Sequence, residues 1–208
     1  MTIRSSAVAA LPSLFFAALP SCTSTTHEPG GATEVVRHPT PALSESEALA
    51  RTSEMATPGA PHADLMARAG TWAVDYKYRM SSDADWTTAQ GVVSSKPVLG
   101  GRYLMEEHAM EMMGMPMQGL LFLGFDNSTK EYTSLWMDTS STWWVEARGT
   151  QGAEGATNMT GTMKDIAGTR PYRMKSWKKV DGAMEHEMYD TIGGREVLVM
   201  TYSSRRKS

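Results

Sequence analysis

The chain has 208 residues, which is enough for one domain of about 150 residues together with terminal appendages. Hydrophobic residues make up 41% of the chain and charged residues 21%, a composition that excludes a wholly disordered or fibrous protein. The net charge of −3 excludes the basic field with which proteins gather nucleic acid or anionic membrane, so we expect no nucleic-acid partner. Methionine is the outlier, with 17 residues against 4 phenylalanines.

A short apolar run at the N-terminus predicts an exported protein. The run extends from Ala7 to Leu19 behind Arg4 and is too short to span a bilayer. It is followed by Cys22, the only cysteine, in a Leu-x-Ser-Cys sequence that resembles a bacterial lipobox. That resemblance implies acylation of Cys22 and membrane contact through the acyl chains only. The next residue, Thr23, is not Asp, which favours an outer-membrane or cell-surface lipoprotein facing the periplasm or exterior.

Ordinary secretion is the alternative, because Pro20 is unusual in that position of a lipobox and Arg4 is the only basic residue before the apolar run. In that case the signal is cleaved near Ala17 or Ala18 and Cys22 keeps its thiol.

Composition divides the chain into three parts. Residues 1–21 form the signal peptide, 22–61 a flexible tether rich in Ser, Thr and Pro, and 62–208 the folded domain. The tether has too few large apolar residues to offset the entropy of ordering it, although residues 43–55 have the composition of a transient helix. Residues 62–69 are expected to form one short helix.

After Gly70 the hydrophobic period becomes two. Trp72, Val74, Tyr76, Tyr78 and Met80 alternate with polar or small residues, which indicates a half-buried strand. Nine further strand-like runs follow, near residues 87–97, 101–113, 117–125, 131–138, 141–149, 156–164, 170–180, 183–191 and 195–202. Ten short strands with turns between them predict an all-β, antiparallel meander with one short N-terminal helix. Closing this meander into a barrel removes its exposed edges.

Several segments carry a family resemblance. Gly70-Thr71-Trp72 is similar to the opening of lipocalins and other calycins. More specific are Gly114-Met115-Pro116-Met117-Gln118-Gly119, Leu123-Gly124-Phe125-Asp126-Asn127-x-x-Lys130-x-Tyr132, Trp136-x-Asp138 and Glu187-Met188-Tyr189-Asp190. Together they resemble a bacterial family of unknown function, Domain of Unknown Function fifteen-seventy-nine, over about residues 62–204. The resemblance implies a lipocalin-like barrel and supplies no activity, cofactor or catalytic residue.

Motifs for catalysis are missing from the sequence. There is no Gly-x-Ser-x-Gly elbow, phosphate-binding Gly-rich loop or nucleotide fingerprint. His186 and Asp190 are four residues apart, but in a strand this spacing is about 13 Å instead of one helical turn. Glu106 and Glu107 are expected on opposite faces of their strand. We therefore expect a protein that is not an enzyme and has no cofactor.

The leading hypothesis is a barrel that binds an apolar or amphipathic small molecule without transforming it. Six residues on apolar strand faces are candidates for lining the cavity: Tyr76, Tyr78, Met105, Phe122, Trp136 and Trp143. The structural alternative is a barrel packed solid, which serves as an envelope or protein-interaction module.

A methionine-rich segment leaves one further alternative, Cu(I) binding. Its candidate ligands are His108, Met110, Met112, Met115 and Met117. Thioethers with an imidazole suit soft ions. Methionine also packs well in adaptable apolar cavities, so the segment is first expected to pack or to line the cavity.

His186 is the remaining histidine of interest, because Met184 and Met188 flank it at two-residue spacing. Asp181-Gly182 predicts a two-residue hairpin loop that pairs Trp177 with His186. In that register Tyr172, Met174 and Tyr189 face the barrel interior, and His186 lies outside against Trp177. A haem site would need His108 or His186 inside the barrel as an axial ligand.

Overall fold

The computed structural model describes residues 43–166 and 168–207. The predicted signal peptide, the lipid-attachment site at Cys22 and the first part of the tether lie outside these residues. Their assignment therefore remains a prediction from the sequence.

Two helices precede ten strands. The helices are α1 (Glu45–Ala56) and α2 (Ala60–Met66). The strands are β1 (Gly70–Tyr78), β2 (Thr87–Val98), β3 (Tyr103–Met112), β4 (Met115–Asp126), β5 (Glu131–Asp138), β6 (Val145–Gln151), β7 (Thr157–Asp165), β8 (Gly168–Lys178), β9 (Met184–Ile192) and β10 (Arg195–Arg206). A short 3-10 helix over Leu99–Gly101 joins β2 to β3.

The ten strands form one closed antiparallel barrel, as predicted. Each strand pairs with the next along the chain, and β1 pairs with β10 to complete the ring. At this closing seam Trp72 is opposite Arg206 and Tyr78 is opposite Met200. Closure leaves no unpaired strand edge in the barrel, which is the physical reason for expecting it from a meander of this length.

Helix α1 lies within the segment that the sequence assigns to the tether. Ser44 caps its N-terminus by accepting a hydrogen bond from the backbone N–H of Glu47, whose carboxylate accepts one from the backbone N–H of Ser44. None of its residues is buried. The Asn127 side chain donates hydrogen bonds to the carbonyls of Met55 and Thr57, and so ties the C-terminal end of α1 to the β4–β5 turn. No helix in the described part of the chain is long and apolar enough to cross a membrane.

Helix α2 lies across one end of the barrel, which we call the floor. Its Leu65 is only 2% exposed and packs in the main core cluster with Leu104 and Leu123. Trp72 at the start of β1 donates a hydrogen bond from Nε1 to the carbonyl of Arg68, just after the helix. The Arg206 guanidinium stacks on the Trp72 ring at 4.7 Å and also donates to the carbonyls of Ala67 and Ala69. Residues of the first and the last strand of the barrel therefore fix α2 and the residues after it at the floor.

The β8–β9 hairpin differs from its predicted register by one residue. Ser176, and not Trp177, is opposite His186, and Met174 is opposite Met188. The cause is the turn: the N–H of Gly182 bonds to the carbonyl of Lys179, and the N–H of Lys179 bonds to the carbonyl of Ala183. A two-residue type I′ loop needs positive φ at both central residues, but at Asp181-Gly182 only Gly182 (φ 86°) has it.

The longer loop reverses the predicted position of His186. A shift of one residue moves side chains to the other face of a strand, so His186 lines the barrel interior together with Met174 and Ser176. Tyr189, predicted to point inward, is on the outer face, where the Arg173 guanidinium covers its ring at 3.9 Å. Only Tyr172 and Met174 of the predicted inner set remain inside.

Candidate functional site

The interior of the barrel contains two adjoining chambers that share lining residues. The mouth chamber, at the end away from α2, has a volume of about 550 Å³. The floor chamber, next to α2, has a volume of about 50 Å³. Five side chains line both chambers and form the boundary between them: His108, Leu121, Met174, His186 and Tyr202.

Methionines dominate the wall of the mouth chamber. Ten of them line it: Met80, Met110, Met112, Met113, Met115, Met117, Met163, Met174, Met188 and Met200. On β7 and β8 they alternate with polar neighbours, as period-two geometry requires: Met163 lies between Thr162 and Lys164, and Met174 between Arg173 and Lys175. Aromatic side chains from β1, β5, β8 and β10 complete the wall. A wall of flexible, polarizable thioethers adapts to apolar ligands of different shapes.

Four of the six predicted lining residues line the mouth chamber: Tyr76, Tyr78, Trp136 and Trp143. The other two, Met105 and Phe122, do not. They are cross-strand neighbours on the outer face of β3 and β4. Leu104 and Leu121, one position away on each strand, are buried inside instead. The prediction of Met105 and Phe122 as lining residues is therefore wrong, because apolar character alone does not identify the inner face of a strand.

The five candidate Cu(I) ligands lie together on the β3–β4 hairpin. Met112 is opposite Met115 and Met110 is opposite Met117, while His108 lies two positions deeper on β3. All five line the mouth chamber. In the described part of the chain no three His, Cys, Asp or Glu side chains are grouped to hold a metal ion, so metal binding here would depend on the thioethers.

An ion-pair cluster joins β7, β8 and β9 at the mouth. Arg170 donates two hydrogen bonds to Asp165 and two to Asp190, with lengths of 2.7 to 2.8 Å. These bonds raise the pKa of Arg170 above its usual range. Because the guanidinium is only 19% exposed, its fork fixes the two carboxylates at the chamber wall.

Exposed apolar side chains surround the opening of the barrel. Four loops and turns contribute them: Met80 and Trp86 between β1 and β2, Met113 and Met115 at the β3–β4 turn, Trp143 and Trp144 between β5 and β6, and Ile166 between β7 and β8. The Arg79 guanidinium lies 4.6 Å from the centre of the Trp86 ring. The entrance to the mouth chamber is therefore largely apolar, like most of its wall.

Polar side chains lie at the boundary between the chambers. His108 is 6% exposed, and its Nδ1 is 3.4 Å from the hydroxyl of Tyr76. The Trp136 ring meets the imidazole edge to face at 5.0 Å. On the other side, Nε2 of His108 is 3.3 Å from Oε2 of Glu106. This contact lacks hydrogen-bonding geometry, and Nε2 makes no hydrogen bond with any described residue.

Glu106 projects into the floor chamber, two positions before His108 on the same strand face. Its Oε1 accepts a hydrogen bond of 3.2 Å from the Ser95 hydroxyl. Burial acts to raise the pKa of Glu106, but contact with His108 and the nearby charge of Arg68 outweigh it and lower the pKa. Glu106 is therefore a carboxylate at neutral pH, while Glu107 pairs with Lys96 outside the barrel.

His186 faces His108 across the boundary. Its imidazole stacks on the ring of Tyr202 at 4.1 Å, nearly parallel, and its Nδ1 is 2.8 Å from the Ser176 hydroxyl. Burial lowers the pKa of His186 to about 3, so the ring is neutral at physiological pH. Burial likewise raises the pKa of the Tyr202 hydroxyl. Both groups are thus uncharged hydrogen-bonding partners at the base of the mouth chamber.

Sequence patterns did not place two of these polar residues, Glu106 and His186, in the cavity, for different reasons. The spacing of Glu106, His108 and Met110 places all three on one face of a strand, so the sequence contained a usable signal for Glu106. His186 was misplaced because its face depends on the length of a neighbouring turn, which the Asp181-Gly182 pair alone does not determine.

No curated protein matches the chain. One family matches residues 57–206, which include α2 and all ten strands. The chain therefore belongs to the family described as Protein of unknown function (DUF1579).

Proposed function

We propose that this protein is an exported, lipid-anchored barrel that binds an apolar or amphipathic small molecule without transforming it. The observation that carries the proposal is the mouth chamber, whose volume of about 550 Å³ is in the range of small-molecule sites. Its wall is mainly apolar, with one ion-pair cluster at the mouth and a few polar groups at the base that fix an orientation. A cavity of this size argues against the alternative of a solid-packed interaction module.

Native mass spectrometry of the protein extracted from its source tests this function. We expect the folded barrel to carry an additional mass in the range of a lipid or another amphiphile, and to lose it on unfolding. A protein that shows only its own mass, and that binds none of a panel of apolar dyes in the lumen, would contradict the carrier function.

Cu(I) binding is the second candidate, and the grouping of its five predicted ligands on one hairpin favours it. Soft thioether and imidazole donors select Cu(I) over harder ions. A copper mass adduct in the same spectrum, absent after substitution of Met110, Met112, Met115 and Met117 together, would favour this function over the carrier.

Anchoring through Cys22 is a separate proposal. It rests on the lipobox-like sequence and on the acyl chains that such a cysteine receives, since each buried CH₂ contributes about 0.8 kcal/mol to membrane binding. We expect the wild-type protein to fractionate with membranes and Cys22→Ala to become soluble or mislocalised. The matched control is Ser24→Ala, which leaves the cysteine intact and should remain with the membranes. A wild-type protein that is wholly soluble and has a free thiol at position 22 would contradict anchoring.

A further inference from the structure

The floor chamber places buried polar groups at the inner end of the lumen. Beside apolar side chains its lining includes the Glu106 carboxylate, the Arg68 guanidinium, two imidazoles and several hydroxyls, among them those of Thr157, Ser176 and Ser204. It lies directly below the apolar mouth chamber and shares its boundary residues. An amphipathic molecule therefore meets a largely apolar wall along its length and, at its inner end, the buried polar groups of Glu106, His108 and His186.

The proton on His108 is placed by its neighbours. A bare Nε2 lone pair at 3.3 Å from a carboxylate oxygen would be repelled, so Nε2 carries a hydrogen and faces Glu106. Nδ1 is then free to accept from the Tyr76 hydroxyl. The result is a buried N–H donor without a well-aligned acceptor, which costs free energy unless a ligand supplies one.

Glu106 offers the complementary group. Its carboxylate has about four acceptor positions, and among the described residues one hydrogen bond occupies it, from Ser95. A ligand atom beside both residues must accept from Nε2–H of His108 and donate to Oε2 of Glu106. A hydroxyl does both.

We propose that the floor chamber, through His108 and Glu106, binds the neutral hydroxyl head of an amphipathic ligand that enters the barrel head first. This inference rests on the proposed carrier function and specifies the ligand class. A carboxylate head has no proton to donate and is repelled by Glu106. An ammonium head satisfies Glu106 but leaves the N–H of His108 without an acceptor.

The volumes agree with this arrangement. A chamber of about 50 Å³ admits a small terminal group, since a cavity of only about 10–15 Å³ holds a water molecule. The hydrocarbon part then remains in the mouth chamber, against the methionines. The largely apolar entrance favours entry with the head first. In that orientation the polar head ends in the floor chamber, and the hydrocarbon chain remains in contact with the apolar side chains of the entrance.

Calorimetric titration of the full chain with decanol, decanoate and decylamine at pH 7.5 tests the assignment. We expect decanol to bind at least about tenfold more tightly than decanoate, since a like charge near 4 Å in a partly buried site is strongly unfavourable. Glu106→Gln should reduce this preference by raising the affinity for decanoate. Glu107→Gln is the matched control, because it makes the same change one residue away on the outer face, and should retain the wild-type preference.

The outcomes separate the two proposals. Binding of all three probes with equal affinity, or a preference that is unchanged in Glu106→Gln, would overturn the head-group assignment and leave the carrier function standing. Binding of none of the probes to the wild type would overturn both. The comparison of the three probes on the wild type does not depend on whether a variant folds. Near-UV circular dichroism identifies any variant that does not fold.

Discussion

Leu104→Ala is expected to lower the free energy of unfolding by about 3 kcal/mol, as is typical for removing a large aliphatic side chain from a well-packed core. Leu104 is 0% exposed and pairs with Leu123 on the neighbouring strand, within the cluster that joins α2 to the barrel. The cavity left by the substitution cannot collapse easily, because closed strands on both sides fix the backbone. Urea unfolding followed by far-UV circular dichroism measures the change.

Leu120→Ala is the control for this prediction. Leu120 lies on β4, on the outer face, and is 38% exposed. Its truncation should cost less than about 1 kcal/mol, because surface substitutions rarely cost more. Equal losses for the two variants would show that Leu104 does not belong to the barrel core.

The second prediction concerns acid stability and His186. Its pKa is about 3 in the folded protein against an ordinary value of 6.5. Between these two values the unfolded chain binds more protons than the folded barrel, so acid favours unfolding. Stability due to the neutral imidazole is complete above pH 6.5 and is lost as the pH falls toward 3. At pH 5 the loss is about 2 kcal/mol, from 1.36 kcal/mol for each pKa unit.

We therefore expect His186→Gln to lose about 2 kcal/mol less than the wild type between pH 7 and pH 5. Carboxylates that titrate in the same range are common to both proteins and cancel in the comparison. Met188→Leu, a substitution in the same strand and chamber without a titrating group, should follow the wild-type curve. Parallel curves for His186→Gln and wild type would indicate that the folded barrel protonates this imidazole freely.

Sequence patterns predicted the architecture better than they predicted the site. The strands were predicted because the alternation of apolar and polar residues, and the turn residues between strands, are local features of the sequence. Ten such strands without helical periodicity permit few other folds. The inner face of β1 was correctly predicted, since Trp72, Val74 and Tyr76 form an unbroken apolar face and are buried.

The site required information that is not local. On β3 and β4 both faces carry large apolar residues, so Met105 and Phe122 could not be distinguished from Leu104 and Leu121 by residue type. On β9 a loop of three residues instead of two moved His186 from the outside to the lumen. The polar groups at the base of the cavity come from strands that include β3, β7, β8, β9 and β10, and only the closed barrel brings them together.

The seam between β1 and β10 also determines when the barrel is completed during folding. Arg205 bonds to Asp75, 130 positions earlier in the chain, so the ring closes across nearly the whole domain. Pairings of such long range must overcome the entropy of closing a long loop and form slowly. Until the last strand is available, the partner edges of β1 and β9 stay open to pairing with other chains. Pairing of β10 with β1 and β9 thus converts an open sheet with two unpaired edges into a closed barrel.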